Sequence, residues 1–132
     1  MPTPDLLEMY TYLATVLVVL PADLQPEHKE ERGEFWYPDQ GMFPGFRMMW
    51  NAPDVWAYGL VVRWDVHAGW LFYEPGYPPP FAKLIDELVP YPELVAQALK
   101  QLLTAGPADL PLKGATRWPA GDALIASLDV SS

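Results

Sequence analysis

The chain contains no cysteine. That absence removes a disulfide framework, a thiolate metal site and a cysteine nucleophile together, and it fits a reducing compartment. Basic side chains are scarce: 8 Lys and Arg stand against 17 Asp and Glu, a formal charge of −9. The few cations are scattered from Lys29 to Arg117. Holding a phosphate backbone requires clustered cations, so no nucleic-acid partner is expected. Histidine is limited to His28 and His67, which leaves a structural zinc site short of ligands. No Gly-rich phosphate loop, nucleophile elbow, H-E-x-x-H or paired-carboxylate motif occurs. The sequence therefore points to a non-enzymatic protein with no cofactor and no metal.

Long apolar runs are missing as well. "YLATVLVVL" (12–20) falls well short of the ~20 residues that cross a bilayer. Asp5 and Glu8 precede it where a secretory signal carries Lys or Arg, and no small-residue cleavage site follows Pro21. The expectation is a soluble, cytoplasmic protein without a membrane partner.

What is present is enough to fold alone. A chain of 132 residues, 51% hydrophobic and 19% charged, suits one domain with one core spanning 1–132. Thr3-Pro4 followed by an apolar run predicts a helix over 4–20, ended by Pro21. Its polar stripe is Asp5, Glu8, Thr11 (or Tyr12) and Thr15. Leu6, Met9, Tyr10, Leu13, Val16, Leu17 and Leu20 form its core face. That apolar arc is wider than a monomer's surface helix needs, which implies a partner chain. Residues 22–34, charged and holding Pro26 and Gly33, read as an exposed loop with room for one helical turn. "EFWY" (34–37) and "GFRMMW" (45–50) read as short strands, and Asn51-Ala52-Pro53-Asp54 as a turn.

The clearest β signal is the hairpin "WAYGLVVRW" (56–64) and "WLFYE" (70–74). Pairing Trp64 with Trp70 sets Val62 opposite Phe72 and Leu60 opposite Glu74 on one face; Arg63 meets Leu71 and Val61 meets Tyr73 on the other. Asp65 then caps the turn's own amides, and Gly69 supplies the positive φ of the return. "PGYPPP" (75–80) ends the strand. "FAKLIDELV" (81–89) fits a short helix or a strand equally. "PELVAQALKQLLTAG" (92–106) is a helix over 92–105, with Leu94, Val95, Ala98, Leu99 and Leu102 on one side and Gly106-Pro107 as its stop. "DALIASL" (122–128) predicts a terminal helical turn docking Leu124, Ile125 and Leu128.

Two features invite a chemical reading. Asp65 and His67 stand two apart between Trp64 and Trp70, with Glu74 beyond, but the hairpin register puts both in the turn and leaves Glu74 far along the strand. A backbone-capping Asp beside a solvated His is the simpler account. The aromatics are the second feature: six Trp, seven Tyr and five Phe, crowded between Phe35 and Phe81. Core filling explains most of them, yet Trp36, Trp50, Trp56, Trp64, Trp70 and Tyr77 are too many to bury in so small a domain. Exposed Trp and Tyr suit protein interfaces, and the interaction residues expected are Trp56, Trp64, Trp70, Phe72 and Tyr77.

From Tyr12 to about Pro111 the layout resembles a small uncharacterised domain family of high-GC Gram-positive bacteria. The shared outline is a Tyr-Leu helix ending near Leu-Pro ("YLATVLVVLPADL"), a strand ending in Trp-Asp that turns into Gly-Trp ("VVRWDVHAGW"), and a Pro-started helix ("VPYPELVAQALKQLL"). The chain departs from that outline in 22–56 and in "EPGYPPPFAKLI". The resemblance implies a single α+β domain and no catalytic residues.

The architecture expected is α+β: an antiparallel sheet of three to four strands with two main helices packed on one face. The function expected is a protein-interaction or regulatory module, self-associating as a homodimer or larger species. Two alternatives stand beside it: an acidic immunity- or antitoxin-like inhibitor of a basic enzyme, its charge speeding the encounter, and a small-molecule binder with an aromatic pocket floored by Trp64 and Trp70.

Overall fold

The first helix, α1 (Leu7–Val19), sets the pattern for the rest, because it is apolar nearly all the way round. The structure is a computed structural model that describes residues 6–76 and 81–128. The expected helix start at Thr3-Pro4 and the aromatic Tyr77 lie outside those residues. Met9, Tyr12, Leu13, Val16 and Leu20 are buried, whereas Leu7, Tyr10 and Val18 are exposed. Tyr12, placed above as an option for the polar stripe, is fully buried, and Tyr10 is the exposed one. At 100° per residue Tyr12 falls next to Val16, at one end of the core arc that Val16, Met9, Leu20 and Leu13 continue. Its hydroxyl is satisfied there, donating to the Pro90 carbonyl (2.7 Å) and accepting from the Trp70 indole (3.2 Å).

A 3-10 turn at Ala22–Leu24 leads into β1 (His28–Tyr37), which pairs antiparallel with β2 (Gly41–Ala52). The segment 28–34, expected as loop, is therefore strand. Its charged side chains hide the strand signal because β1 is the sheet's edge and both its faces are wet for most of its length. Glu31 and Arg32 form a bulge that breaks the alternation as well. β3 (Trp56–Asp65) and β4 (Gly69–Tyr73) pair in the register the sequence predicts: Trp64 with Trp70, Arg63 with Leu71, Val62 with Phe72 and Val61 with Tyr73. The ladder stops there, and the Glu74 carboxylate instead accepts the Tyr58 amide (3.0 Å). β5 (Ala82–Lys83) adds a short fifth strand, so the sheet runs β1-β2-β3-β4-β5, all antiparallel, rather than three or four strands.

α2 (Pro92–Ala105) starts on proline and stops at Gly106, whose φ of 86° only glycine adopts without strain. α3 (Gly121–Leu128) docks Leu124 and Leu128. The three helices share one core with a single face of the sheet: Phe46, Met48 and Trp50 of β2, Leu60, Val62 and Trp64 of β3, Trp70 and Phe72 of β4. Four indole N–H groups tie the sheet to its surroundings on that side. Trp50 donates to the Leu24 carbonyl, Trp56 to Leu102, Trp64 to Leu88 and Trp70 to the Tyr12 hydroxyl, at 2.7 to 3.2 Å. Each indole thus buries its rings and spends its one polar group.

Strands β2 and β3 approach each other so closely at Gly45 that a Cβ there would overlap the Trp64 carbonyl oxygen and the Asp65 backbone. Backbone has no rotamer with which to yield. Gly45→Ala should therefore cost more than about 3 kcal/mol, at the severe end for a single methyl group, read as the loss of the cooperative urea transition. Gly33→Ala presses only on a side chain, Phe35, with the Gly45 carbonyl at ordinary contact distance, and should be far milder.

Candidate functional site

The face of the sheet turned away from the helices is not bare. Phe35, Val61 and Leu71 lie on it and are buried, although none of them belongs to the main core. Across it runs a lane of small residues in register: Gly33 of β1, Gly45 of β2, Asp65 of β3 and Gly69 of β4. At Gly33 the absence of a side chain leaves room for the Phe35 ring to fold back over the strand, and the Arg63 guanidinium lies over that ring.

Asp65 has no exposed surface at all. Oδ1 accepts the backbone N–H groups of His67 (2.9 Å) and Ala68 (2.7 Å), the turn cap expected from the sequence. Oδ2 accepts the Tyr37 hydroxyl (2.7 Å) and faces Arg63 Nε at 3.8 Å. The Tyr37 hydroxyl in turn accepts from Arg63 Nη2 (2.8 Å). The guanidinium lies over the rings of Phe81 (4.1 Å to the centroid), Phe35 (4.7 Å) and Tyr37 (5.6 Å). His67 is exposed as expected, but not simply solvated: its ring stacks on Phe43 (4.5 Å, 17°) and meets Tyr37 at 4.7 Å. The site is therefore a buried carboxylate that fixes a phenol and a cation across three strands.

Burial, then the hydrogen bond to Asp65, pushes the Tyr37 phenol up to about 12. Burial raises the Tyr12 phenol further still. Both therefore stay neutral donors over the physiological range. Asp65, His67 and Glu74 do not converge as a metal site, since Glu74 is engaged with Tyr58 at the far end of β4. Among the described residues no group of three His, Cys, Asp or Glu is placed to hold a metal ion.

The expected interaction residues fare differently. Trp64 and Trp70 are completely buried and Phe72 nearly so, so none of them is a surface anchor. Their alternation puts them on the helix side, where they fill the space that a pocket floored by Trp64 and Trp70 would need. Trp56 is half-buried and committed to Leu102, and Tyr77 lies outside the described residues. Among the described residues the large exposed apolar side chains instead include Trp36 and Met42, paired across the β1–β2 hairpin, together with Tyr58 and the outer stripe of α1. Composition said that some tryptophan is exposed; only the register decides which. Tyr37, Arg63 and Phe81 were missed as site residues, because nothing local in the sequence joins β1 to the β3–β4 turn.

Removing the Asp65 carboxylate would orphan two turn amides, the Tyr37 hydroxyl and a nearly buried cation together. Asp65→Ala should cost about 3–5 kcal/mol, well above the ~1 kcal/mol of an exposed turn cap. His67→Ala loses ring contacts only and should cost no more than about 1 kcal/mol. Both are measured by urea denaturation, and equal costs would mean that the carboxylate is not the hub. A second expectation concerns alkaline pH. A phenol raised on folding contributes stability that is complete below its unfolded value near 10 and is lost as pH climbs through the folded value. The urea midpoint should fall between about pH 10 and 12, in step with tyrosinate absorbance, and Tyr37→Phe should make that fall smaller.

No family model, no curated protein and no solved structure matches the chain, so its function rests on its own side chains.

Proposed function

We propose that the protein is a non-enzymatic interaction module that self-associates through the outer face of α1. The observation that carries this reading is a stripe at helical spacing: Leu7, Thr11, Ala14 and Val18 are all exposed, Val18 at 83%. A groove of about 400 Å³ runs beside it, lined by Tyr10, Leu13, Ala14 and Leu17 of α1 and by Lys29 and Glu31 of β1. An exposed apolar helix face next to an apolar groove suits a second copy of the same helix, since a two-fold pairing sets one patch against itself. A cytoplasmic setting fits the cysteine-free composition.

The acidic-inhibitor reading loses support from the same strand. Glu30 is held by Arg47 through two hydrogen bonds (2.7 and 2.8 Å) and Glu31 pairs with Lys29 (3.3 Å), so the acidic run 27–34 is partly neutralised by its own neighbours. Salt separates the two readings. Copies of charge −9 repel one another, and raising ionic strength from 0.01 to 0.15 M shortens screening from about 30 Å to about 8 Å. Self-association should strengthen with salt, whereas docking on a basic enzyme should weaken.

Sedimentation velocity over a micromolar series should report a dimer or larger species, and Val18→Glu should weaken association by about tenfold or more at an unchanged melting temperature. A 14.9 kDa monomer at every concentration would overturn the reading.

A further inference from the structure

The helix-free face holds a cation whose bonding is incomplete. The Arg63 side chain is 11% exposed, yet of the five N–H donors on a guanidinium only the one from Nη2 to Tyr37 has an acceptor among the described residues. Nε is buried without a hydrogen-bond partner. Its ion-pair partner, Asp65 Oδ2, stands 3.8 Å away, close enough for Coulomb attraction and too far for a hydrogen bond. Nη1 has no acceptor among the described residues. Arg47 and Arg117 are much more exposed, yet each binds carboxylate oxygens directly, Arg47 on Glu30 and Arg117 on Glu87 and Asp122. Of these three arginines, the one with the least access to water is the one without a hydrogen bond to a carboxylate.

Its orientation is nevertheless fixed. Phe81 and Phe35 cover the guanidinium plane, and Asp65 and Tyr37 hold it from one edge. This is the arrangement that turns a flexible cation into a rigid fork: aromatic rings restrain the plane, a carboxylate and a phenol restrain the rotation, and the remaining donors stay free. Asp65 does not supply what the fork lacks, because Oδ2 stands beyond hydrogen-bond distance of Nε and the other oxygen is turned to the amides of His67 and Ala68.

We propose that Arg63 is the receptor of a binding site for a small monocarboxylic acid with an apolar body, whose carboxylate takes the free guanidinium donors and whose body rests among Phe35, Phe81 and the Tyr73 ring beside Phe81 (4.8 Å). The ligand is planar at its head because the fork is planar. It is a monoanion because Asp65 already sits against the cation, and a phosphate dianion would face that carboxylate at short range. Asp65 and Tyr37 are positioning residues here, and Arg63 makes the contact.

The Nε–H proton reads the site directly. In 15N-resolved NMR spectra of the full chain, the Arg63 Nε–H resonance should move and saturate on titration with benzoate, and should stay in place with sodium chloride or phosphate at matched ionic strength. Acetate, which has the head and no body, should bind more weakly. Arg63→Lys keeps the charge and loses the fork, and should weaken benzoate binding by about tenfold or more. An Nε–H signal unmoved by benzoate, or moved equally by chloride, overturns the proposal, as does benzoate binding that survives Arg63→Lys unchanged. If that variant does not fold, the wild-type titration decides alone. None of these outcomes bears on the α1 face, which is scored by association.

Discussion

A carboxylate with no water around it must be fully bonded or it unfolds what holds it, and Asp65 imposes that condition on three strands at once. Its partners are two amides of the β3–β4 turn, a phenol from the far end of β1 and an arginine from its own strand. In the lane Gly33–Gly45–Asp65–Gly69, Gly45 is required by the close approach of β2 to the backbone of β3. With no helix on that side among the described residues, the edge strand β1 is held to the sheet by its ladder to β2, by the Glu30–Arg47 pair and by this polar knot. The other face obeys ordinary packing, with large apolar side chains under three helices. The two sides of the sheet are thus stabilised by different physics, dispersion and burial on one and a charge network centred on Asp65 on the other.

That division explains what the sequence made legible. The β3–β4 hairpin, its register, the Asp65 cap and the Gly69 return follow from local alternation and turn chemistry, and they appear as expected. Helix α2, with its proline start and glycine stop, was equally plain, and of its expected apolar side Val95, Ala98, Leu99 and Leu102 are buried while Leu94 is not. β1 was not, because an edge strand wet on both sides carries no alternation, and its bulge displaces what little there is. The aromatics were misassigned for a related reason. Counting them shows that a small domain cannot bury all, but Trp64 and Trp36 differ only in which strand and which row they occupy. The Tyr37–Asp65 contact joins residues 28 apart, and no pattern within either strand announces it.

Tryptophan here acts as a fastener as much as a filler. Trp50, Trp56, Trp64 and Trp70 each place an apolar ring system at or in the core and one N–H on an oxygen of a helix, loop or tyrosine. Replacing any of them by leucine would keep much of the apolar contact and strand an acceptor. A core built this way is specific about the angle between sheet and helices, since an indole N–H tolerates little misalignment.

The bulge at Glu31–Arg32 has a consequence for how copies of the chain can meet. A sheet with an open ten-residue edge is a template on which identical chains add without limit. Here the edge changes register midway and is studded with Lys29, Glu30, Glu31, Arg32 and Glu34, while the opposite edge is a two-residue strand. Neither border offers a continuous run of matched amides and carbonyls. Growth strand upon strand into a fibre is thereby blocked at both borders, and any assembly of this protein is left to side-chain surfaces, where it can close on itself and stop.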